Sequence, residues 1–395
     1  MNMTDAILVV NAGSTSLKFG AYKVDETRTL PRLCRGMVDS MSTDPHFIAK
    51  GPDGKPIDAH EWGEGRAIDH RTALSFIVDW LESHEDNVKV VAAGHRVVLG
   101  GERFSEPALI TDEVLAYLES LEVMEPSHQA YNVLGARALA EDFPGLTQVA
   151  CFDTSFHRTM PEVAQIYALP EKARATGVRH WGYHGISYDY IHRELPKHAP
   201  EARRVVVGHL GGGASMCAIL DGQSVDTSMG FGALSGLPMA TRSGDVPAGA
   251  LFYLLRSKAY DVPSLEKTLY SDSGLLGLSG ISGDMRRLQD SDDPKAKLAV
   301  DYFIYAMTRT VGAYTAVMGG LDALVFTAGI GENSPEARAL RREKLAFMGI
   351  KLDAAANAAN ALRISTPDSA VSVWVIPTNE ERMIAQHTLE LARPG

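Results

Sequence analysis

One local pattern constrains this chain more than any other, because it occurs twice: a β-branched strand runs into a short small-residue turn and comes straight back out. Residues 7–24 read ILVVNAGSTSLKFGAYKV. Ile7 to Val10 form a buried strand pattern, Asn11 to Ser16 supply turn chemistry, and extended structure resumes at Leu17. Such a hairpin tip gathers backbone N–H groups, hydroxyls, the Asn11 amide and the Lys18 ammonium at one point, which suits a phosphate. On one copy alone an ordinary β-turn is the stronger reading. Residues 203–228, RRVVVGHLGGGASMCAILDGQSVDTS, repeat the plan with a turn of Gly211, Gly212 and Gly213. There Asp221–Gly222 predicts a type I′ hairpin into a third strand. Two such units half a chain apart predict a duplicated α/β fold with one phosphate loop in each half.

Neither loop is a P-loop, since the lone Gly54–Lys55 pair has Ala49 where that motif needs glycine. No GxGxxG occurs, so a Rossmann dinucleotide site lacks support. The 395 residues carry 49 acidic against 38 basic side chains, a net charge of −11. That balance argues against general nucleic-acid binding. Three scattered cysteines, Cys34, Cys151 and Cys217, make neither a disulfide framework nor a zinc site and fit a reducing cytoplasm. The N-terminus lacks a basic leader, and no stretch approaches membrane-spanning length.

Strands are expected at 88–92 and 147–152, with helices at 66–81, 112–121 and 132–141, an alternation that means an α/β sheet. In the second half a helix should begin at Asp293–Pro294, bury Ala299, Phe303, Ala306, Thr310, Ala313 and Val317, and stop at Gly319–Gly320. The Ala-rich stretch 354–361 reads as a surface helix. Strands ending in DALVFTAGIGENS and VSVWVIPTNEE place two turns at carboxyl ends, where open α/β sheets bind ligands. A domain boundary is expected near Asp153, giving domains 1–153 and 154–381, with helix 382–395 returning to the first.

Several groups carry chemistry. Asp153, opening DTSFH after a strand, is either an N-cap or a metal or catalytic group. Arg96 in GHRVVLGGE and Arg242 in MATRSGD lie among small residues, so each can enter a cleft or serve as a surface ion-pair partner. His180 and His184 in RHWGYHGIS invite a metal reading, but no third ligand matches, and a donor role is preferred.

In order along the chain, NAGSTSLKF, GHRVVLGGE, FDTSFH, GYHGIS, GHLGGGAS, TRSGD, SGLLGLSGISGDMR, FTAGIGENS and TNEE resemble the acetate kinase family. That family sits in the superfamily joining acetate and sugar kinases with heat-shock ATPases and actin. The resemblance implies a duplicated actin-like (ribonuclease H-like) ATPase fold of two domains around a cleft. It further implies a homodimer that moves the ATP γ-phosphoryl onto acetate, giving acetyl phosphate and ADP, with Mg²⁺ that Mn²⁺ can replace. Propionate or another short carboxylate is the alternative acceptor, and a non-catalytic actin-like nucleotide-binding protein is a third reading.

Motif by motif, the resemblance implies catalytic Asp153, Arg96, Arg242 and His184. It implies phosphate and nucleotide contacts at Asn11, Ser14, Ser16, Lys18, His209, Gly211, Gly212, Gly213, Asp284, Arg286, Gly329, Ile330 and Gly331. Asn11 and Glu380 would hold the metal, and Arg96, Val98, Ser127 and Tyr183 the acceptor. A short carboxylate is already ionised at pH 7, so the nucleophile needs no general base, and Asp153 is better cast as a metal or water anchor. The chain departs from the family at Gly212, where an Asn is usual, in the 229–241 segment, and at Ser127, which stands where a pocket Leu is expected. Those departures bear on specificity.

Overall fold

The computed structural model describes residues 3–84, 88–126, 128–339 and 344–392. The chain divides into a first unit, Met1–Ser155 with Asn379–Gly395, and a second, Phe156–Thr378. The division thus falls after Ser155, and Asn379 to Glu381 go with the first unit.

The first unit holds β1 (Thr4–Ala12), β2 (Leu17–Lys23), β3 (Arg32–Asp39), β4 (His46–Lys50), β5 (Pro56–Glu61), β6 (Val88–Val97), β7 (Ala108–Leu109) and β8 (Thr147–Phe152). They form one sheet in the order β5-β4-β3-β2-β1-β6-β8-β7. Strands β1 to β5 make an antiparallel meander, while β6 and β8 run parallel to β1. β1 is central, and Ala6 to Val10 are buried in one continuous run, as a strand covered on both faces requires. One face packs Leu8, Val10 and Phe19 against Leu74, Ile77 and Leu81 of the His70–His84 helix and Leu139 of the Gln129–Asp142 helix. The other carries the Glu380–Ala392 helix, which lies so close on β6 that a Cβ at Gly94 would come within 2.2 Å of Thr388 Oγ1.

In the second unit β9 (Arg204–Leu210), β10 (Ala214–Leu220), β11 (Gln223–Thr227), β12 (Ala323–Thr327) and β13 (Ser372–Val375) lie in the order β11-β10-β9-β12-β13. β9 to β11 are antiparallel, and β12 and β13 are parallel to β9. This repeats β3-β2-β1-β6-β8 strand for strand, and the fold is a duplicated actin-like α/β fold. Asp221 (φ 51°) and Gly222 (φ 83°) both adopt the left-handed conformation that a type I′ turn needs.

Three local expectations need correction. The first helix begins at His70, not at 66, because Asp69 takes the Thr72 N–H at 2.8 Å and caps it. The long helix, Pro294–Met318, starts and stops where expected, capped by Asp293 and by Gly319 at φ 69°. Its buried side, however, passes from Phe303 and Ala306 to Val311, Tyr314 and Met318, leaving Ala313 and Val317 exposed. A stripe drawn at 4-3 spacing assumes 3.5 residues per turn and drifts off a real 3.6-residue helix. The Ala-rich helix is only Ala354–Ala358, with Asn357 turned inward. Among the described residues no helix is long and apolar enough to cross a membrane.

Candidate active site

In the first unit the chemistry gathers at the carboxyl ends of β6 and β8. Arg96 and Cys151 are register partners on those strands, and the Asp153 amide donates to Val97 O at 2.9 Å, which carries its carboxylate back beside Arg96. Arg96 grips it as a fork, Nη2 donating to Oδ2 at 2.8 Å and Nε at 3.1 Å. Glu380 Oε2 lies 3.8 Å from Nη1 on the same guanidinium. The N-cap alternative for Asp153 falls, since its hydrogen bonds go to Arg96 and its side chain is only 2% exposed. Burial pushes the Asp153 carboxyl above the usual carboxylate range, against the pull of Arg96. Burial also works against the Arg96 charge, but Asp153 and Glu380 outweigh it and hold the guanidinium more firmly protonated than usual.

The β1–β2 loop of the same unit is closed by Gly13 N donating to Ser16 O at 2.8 Å. Asn11 pairs with Lys18 across the hairpin, so both side chains share a face. Ser14 is exposed and Ser16 half-buried. Residues to which the sequence assigned no site role fix this loop. Asn132 Nδ2 donates to Ala12 O at 2.8 Å while its Oδ1 accepts from buried Val98 N at 3.1 Å, tying the hairpin to the segment after Arg96. His70 Nε2 lies 2.7 Å from Gly13 O. A buried amide in a helix pattern was the available signal, because such a group must find partners. Ser127 lies outside the described residues.

In the second unit Gly211 N donates to Gly213 O at 3.0 Å, closing the β9–β10 turn. Gly211, Gly212, Asp284, Arg286, Gly329 and Ile330 line one cleft of about 660 Å³. Gly331 is instead buried against Phe326, where a Cβ would sit 3.3 Å from the backbone. Gly213 faces elsewhere: a Cβ there would stand 3.4 Å from His184 Nε2 and 3.7 Å from Arg242 Nη1. That glycine therefore marks where an imidazole and a guanidinium converge. His184 takes φ 61° just before the Gly185–Glu194 helix, a left-handed conformation that a non-glycine residue adopts at a cost. Its ring stacks on His209 at 4.2 Å, whereas His180 stacks on Tyr167. Buried Tyr183 donates to Phe231 O at 2.8 Å, and Arg242 Nη1 to Ala233 O at 2.9 Å. The 229–241 segment thus holds both residues through carbonyls, which any sequence supplies.

A sequence profile of the acetokinase family matches residues 6–386. The chain is 47% identical to an acetate kinase of Nitrobacter hamburgensis over 389 residues, covering 98% of this chain and 96% of the relative. It is 44% identical to an acetate kinase of Rhizobium meliloti, covering 98% of each. Among solved structures, an acetate kinase from Porphyromonas gingivalis matches with a TM-score of 0.90 at 34% identity, over 98% of this chain and 99% of that one. A propionate kinase from Francisella tularensis matches with a TM-score of 0.90 at 35% identity, over 98% and 100%. A profile match over nearly the whole length, carried on a duplicated fold with these strand-end residues, makes the chain a member of the acetokinase family.

Proposed function

We propose that this chain transfers the γ-phosphoryl group of ATP reversibly to acetate, giving acetyl phosphate and ADP. The observation that carries the reading is the Arg96 fork on Asp153 with Glu380 beside it, a nearly buried charge cluster at strand ends. An anionic nucleophile and an anionic phosphoryl group can meet only where positive charge is already fixed in place. Arg96 and Arg242 serve as those fixed cations, His184 donates to the phosphoryl group, and the two turns cradle phosphate oxygens with backbone N–H groups. Val98 and Tyr183 border the acceptor in this reading. Asp284, Arg286, Gly329 and Ile330 take the nucleoside.

Asp153 and Glu380 offer hard oxygen donors that suit Mg²⁺, which takes one or two carboxylates and completes its shell with water and phosphate oxygens. Among the described residues no group of three or more His, Cys, Asp or Glu side chains could hold a metal. Asn11 and Glu380 are the residues proposed to touch Mg²⁺, and when bound it neutralises charge on the phosphates. Mn²⁺ is expected to substitute. A cytoplasmic homodimer completes the reading. Phe252 and Tyr253 support the dimer, exposed on the Ala248–Arg256 helix, which buries no side chain.

Trapping acyl phosphate with hydroxylamine tests the function across acetate, propionate and butyrate with ATP, GTP and pyrophosphate. Product from acetate and ATP is expected, and none from any acid would overturn the reading. Ser127 stands in the sequence where the family's pocket leucine is expected, and on that departure propionate is kept as a second acceptor. Ser127→Leu should then shift the acceptor profile toward acetate by a graded amount, worth roughly 1–3 kcal/mol.

A further inference from the structure

His184 and His209 are held by each other's elements. Ser215, on β10 opposite His209, has its Oγ 2.8 Å from His184 Nδ1. Ser187, in the helix that His184 precedes, has its Oγ 2.8 Å from His209 Nδ1. Strand thus braces the histidine of the helix, and helix braces that of the strand. Each serine is backed by a further hydroxyl: Tyr188 OH lies 2.5 Å from Ser215 Oγ, and Thr378 Oγ1 lies 2.8 Å from Ser187 Oγ. Both serines and Tyr188 are wholly buried.

We infer that Ser215 and Ser187 are positioning residues that keep His184 and His209 neutral with the ring hydrogen on Nε2, so that His184 donates a hydrogen bond at the Gly213 turn without carrying charge. The inference rests on the phosphoryl-transfer reading above. Burial keeps the Tyr188 phenol protonated well above its usual range, so it has a hydrogen to give, and Ser215 Oγ at 2.5 Å is placed to take it. The Ser215 hydrogen is then left for Nδ1, and an Nδ1 that accepts must leave the proton on Nε2. Thr378 and Ser187 repeat the chain toward His209. Stacking of the two rings at 4.2 Å and 21° opposes charging both, since two imidazolium ions face to face repel. Arg242, converging on the same turn, opposes it further. Other titratable groups around them include Tyr188, Cys217 acting on Tyr188, His157 edge-on against Tyr188 at 5.5 Å, and Glu332, whose Oε1 accepts from Thr378 N at 3.1 Å.

Two measurements on the full chain test this. Long-range proton–nitrogen correlation on ¹⁵N-labelled protein at pH 7 to 8 should show the His184 hydrogen on Nε2, and a hydrogen on Nδ1 or an imidazolium would overturn the inference. Ser215→Ala should cut kcat roughly 10- to 100-fold, the size of effect seen when the group orienting a metal-bound histidine is lost, with KM for both substrates little changed. The wild-type pH profile should be flat from pH 7 to 9, Ser215→Ala should add an alkaline decline to it, and Ser215→Thr should restore most activity. Wild-type kcat and an unchanged pH profile in Ser215→Ala would overturn the proposal. Should that variant not fold, Tyr188→Phe removes the outer hydroxyl and is expected to act the same way, more weakly. A wild-type chain that formed no acyl phosphate would sink the functional reading, while the nitrogen shifts would still decide the tautomer.

Discussion

The two sheets share one scaffold and carry different chemistry on it. Aligning the turns, Ala12–Leu17 in the first and Leu210–Ala214 in the second, makes Asn11 the counterpart of His209. Neighbouring registers, Val10 with His95 and Gly208 with Phe326, then make Arg96 the counterpart of Thr327. By the same count along β8 and β13, Asp153 corresponds to Thr378. An ion pair in one unit is thus a pair of hydroxyls in the other. Strand ends are fixed by the fold, whereas the side chains placed there are free to differ. Duplication supplied two platforms: the first carries its arginine on a strand end, paired with Asp153, whereas the second brings Arg242 to its turn from outside the strands and holds it through the Ala233 carbonyl.

Removing the arginines tests that asymmetry hardest. Arg96→Ala and Arg242→Ala should each lower kcat/KM by roughly 10³- to 10⁵-fold, the effect of a positioned arginine in phosphoryl transfer. Their stabilities should part company. Without Arg96, nearly buried Asp153 loses its partner, which costs roughly 3–5 kcal/mol. Arg242→Ala gives up hydrogen bonds such as that to Ala233 O, each worth about 1 kcal/mol. Urea unfolding of both variants checks this, and equal losses would break the comparison.

That asymmetry was legible only in part. β1 and β9 follow from continuous runs rich in β-branched residues, β2 and β10 from the small-residue turns that send the chain back, and the 294–318 helix from Asp293 and Gly319, because these signals are local. Strands β3 to β5 went unread: β5 is almost wholly exposed, so no apolar alternation marks it. The Arg96–Asp153 pair joins residues on two strands whose parallel pairing no spacing reveals, and motif likeness alone put both in one site. Ser187 and Ser215 lay inside stretches already singled out, but a serine beside glycines reads as turn chemistry until its hydroxyl is seen on an imidazole.

Both units bury a neutral histidine, which sets a second, smaller test. Burial lowers His95 to about 4 and His157 to about 3. The Gln148 amide fits His95 in the orientation that donates to His95 Nε2 and Ala136 O and accepts from Ala140 N. His157 contacts Ser224 Oγ at 2.9 Å and Tyr183 O at 3.0 Å. An unfolded histidine takes its proton near pH 6.5, which the native ring refuses. The stabilisation is therefore complete above pH 6.5 and is lost as pH falls, by ~3 kcal/mol for His95 on reaching pH 4 and by more for His157 nearer pH 3. Denaturant midpoints measured from pH 7 to 4 should drop throughout, and hydrogen exchange should show both units loosening. A flat profile would mean that these rings take up protons as readily in the native state as in the unfolded chain.

Gly212 gives the smallest effect and the finest probe of the second unit's turn. It lines the nucleotide-sized cleft, and a Cβ there meets nothing within 4 Å. Its φ is not among the positive values, so a side chain brings no backbone strain. Its carbonyl accepts from Ala240 N at 3.0 Å, which fixes the backbone irrespective of the side chain. Gly212→Asn should accordingly fold as well as the parent and add one amide donor to the cleft. One such hydrogen bond is worth about 0.5–1.5 kcal/mol net, so KM for ATP should fall by roughly 2- to 10-fold with kcat and acceptor KM unchanged. Gly212→Ala separates the amide from mere bulk and should leave KM for ATP where it is. If Ala and Asn moved KM alike, the turn would act through its backbone alone. A change in acceptor KM instead would place the loop's influence on the wrong substrate.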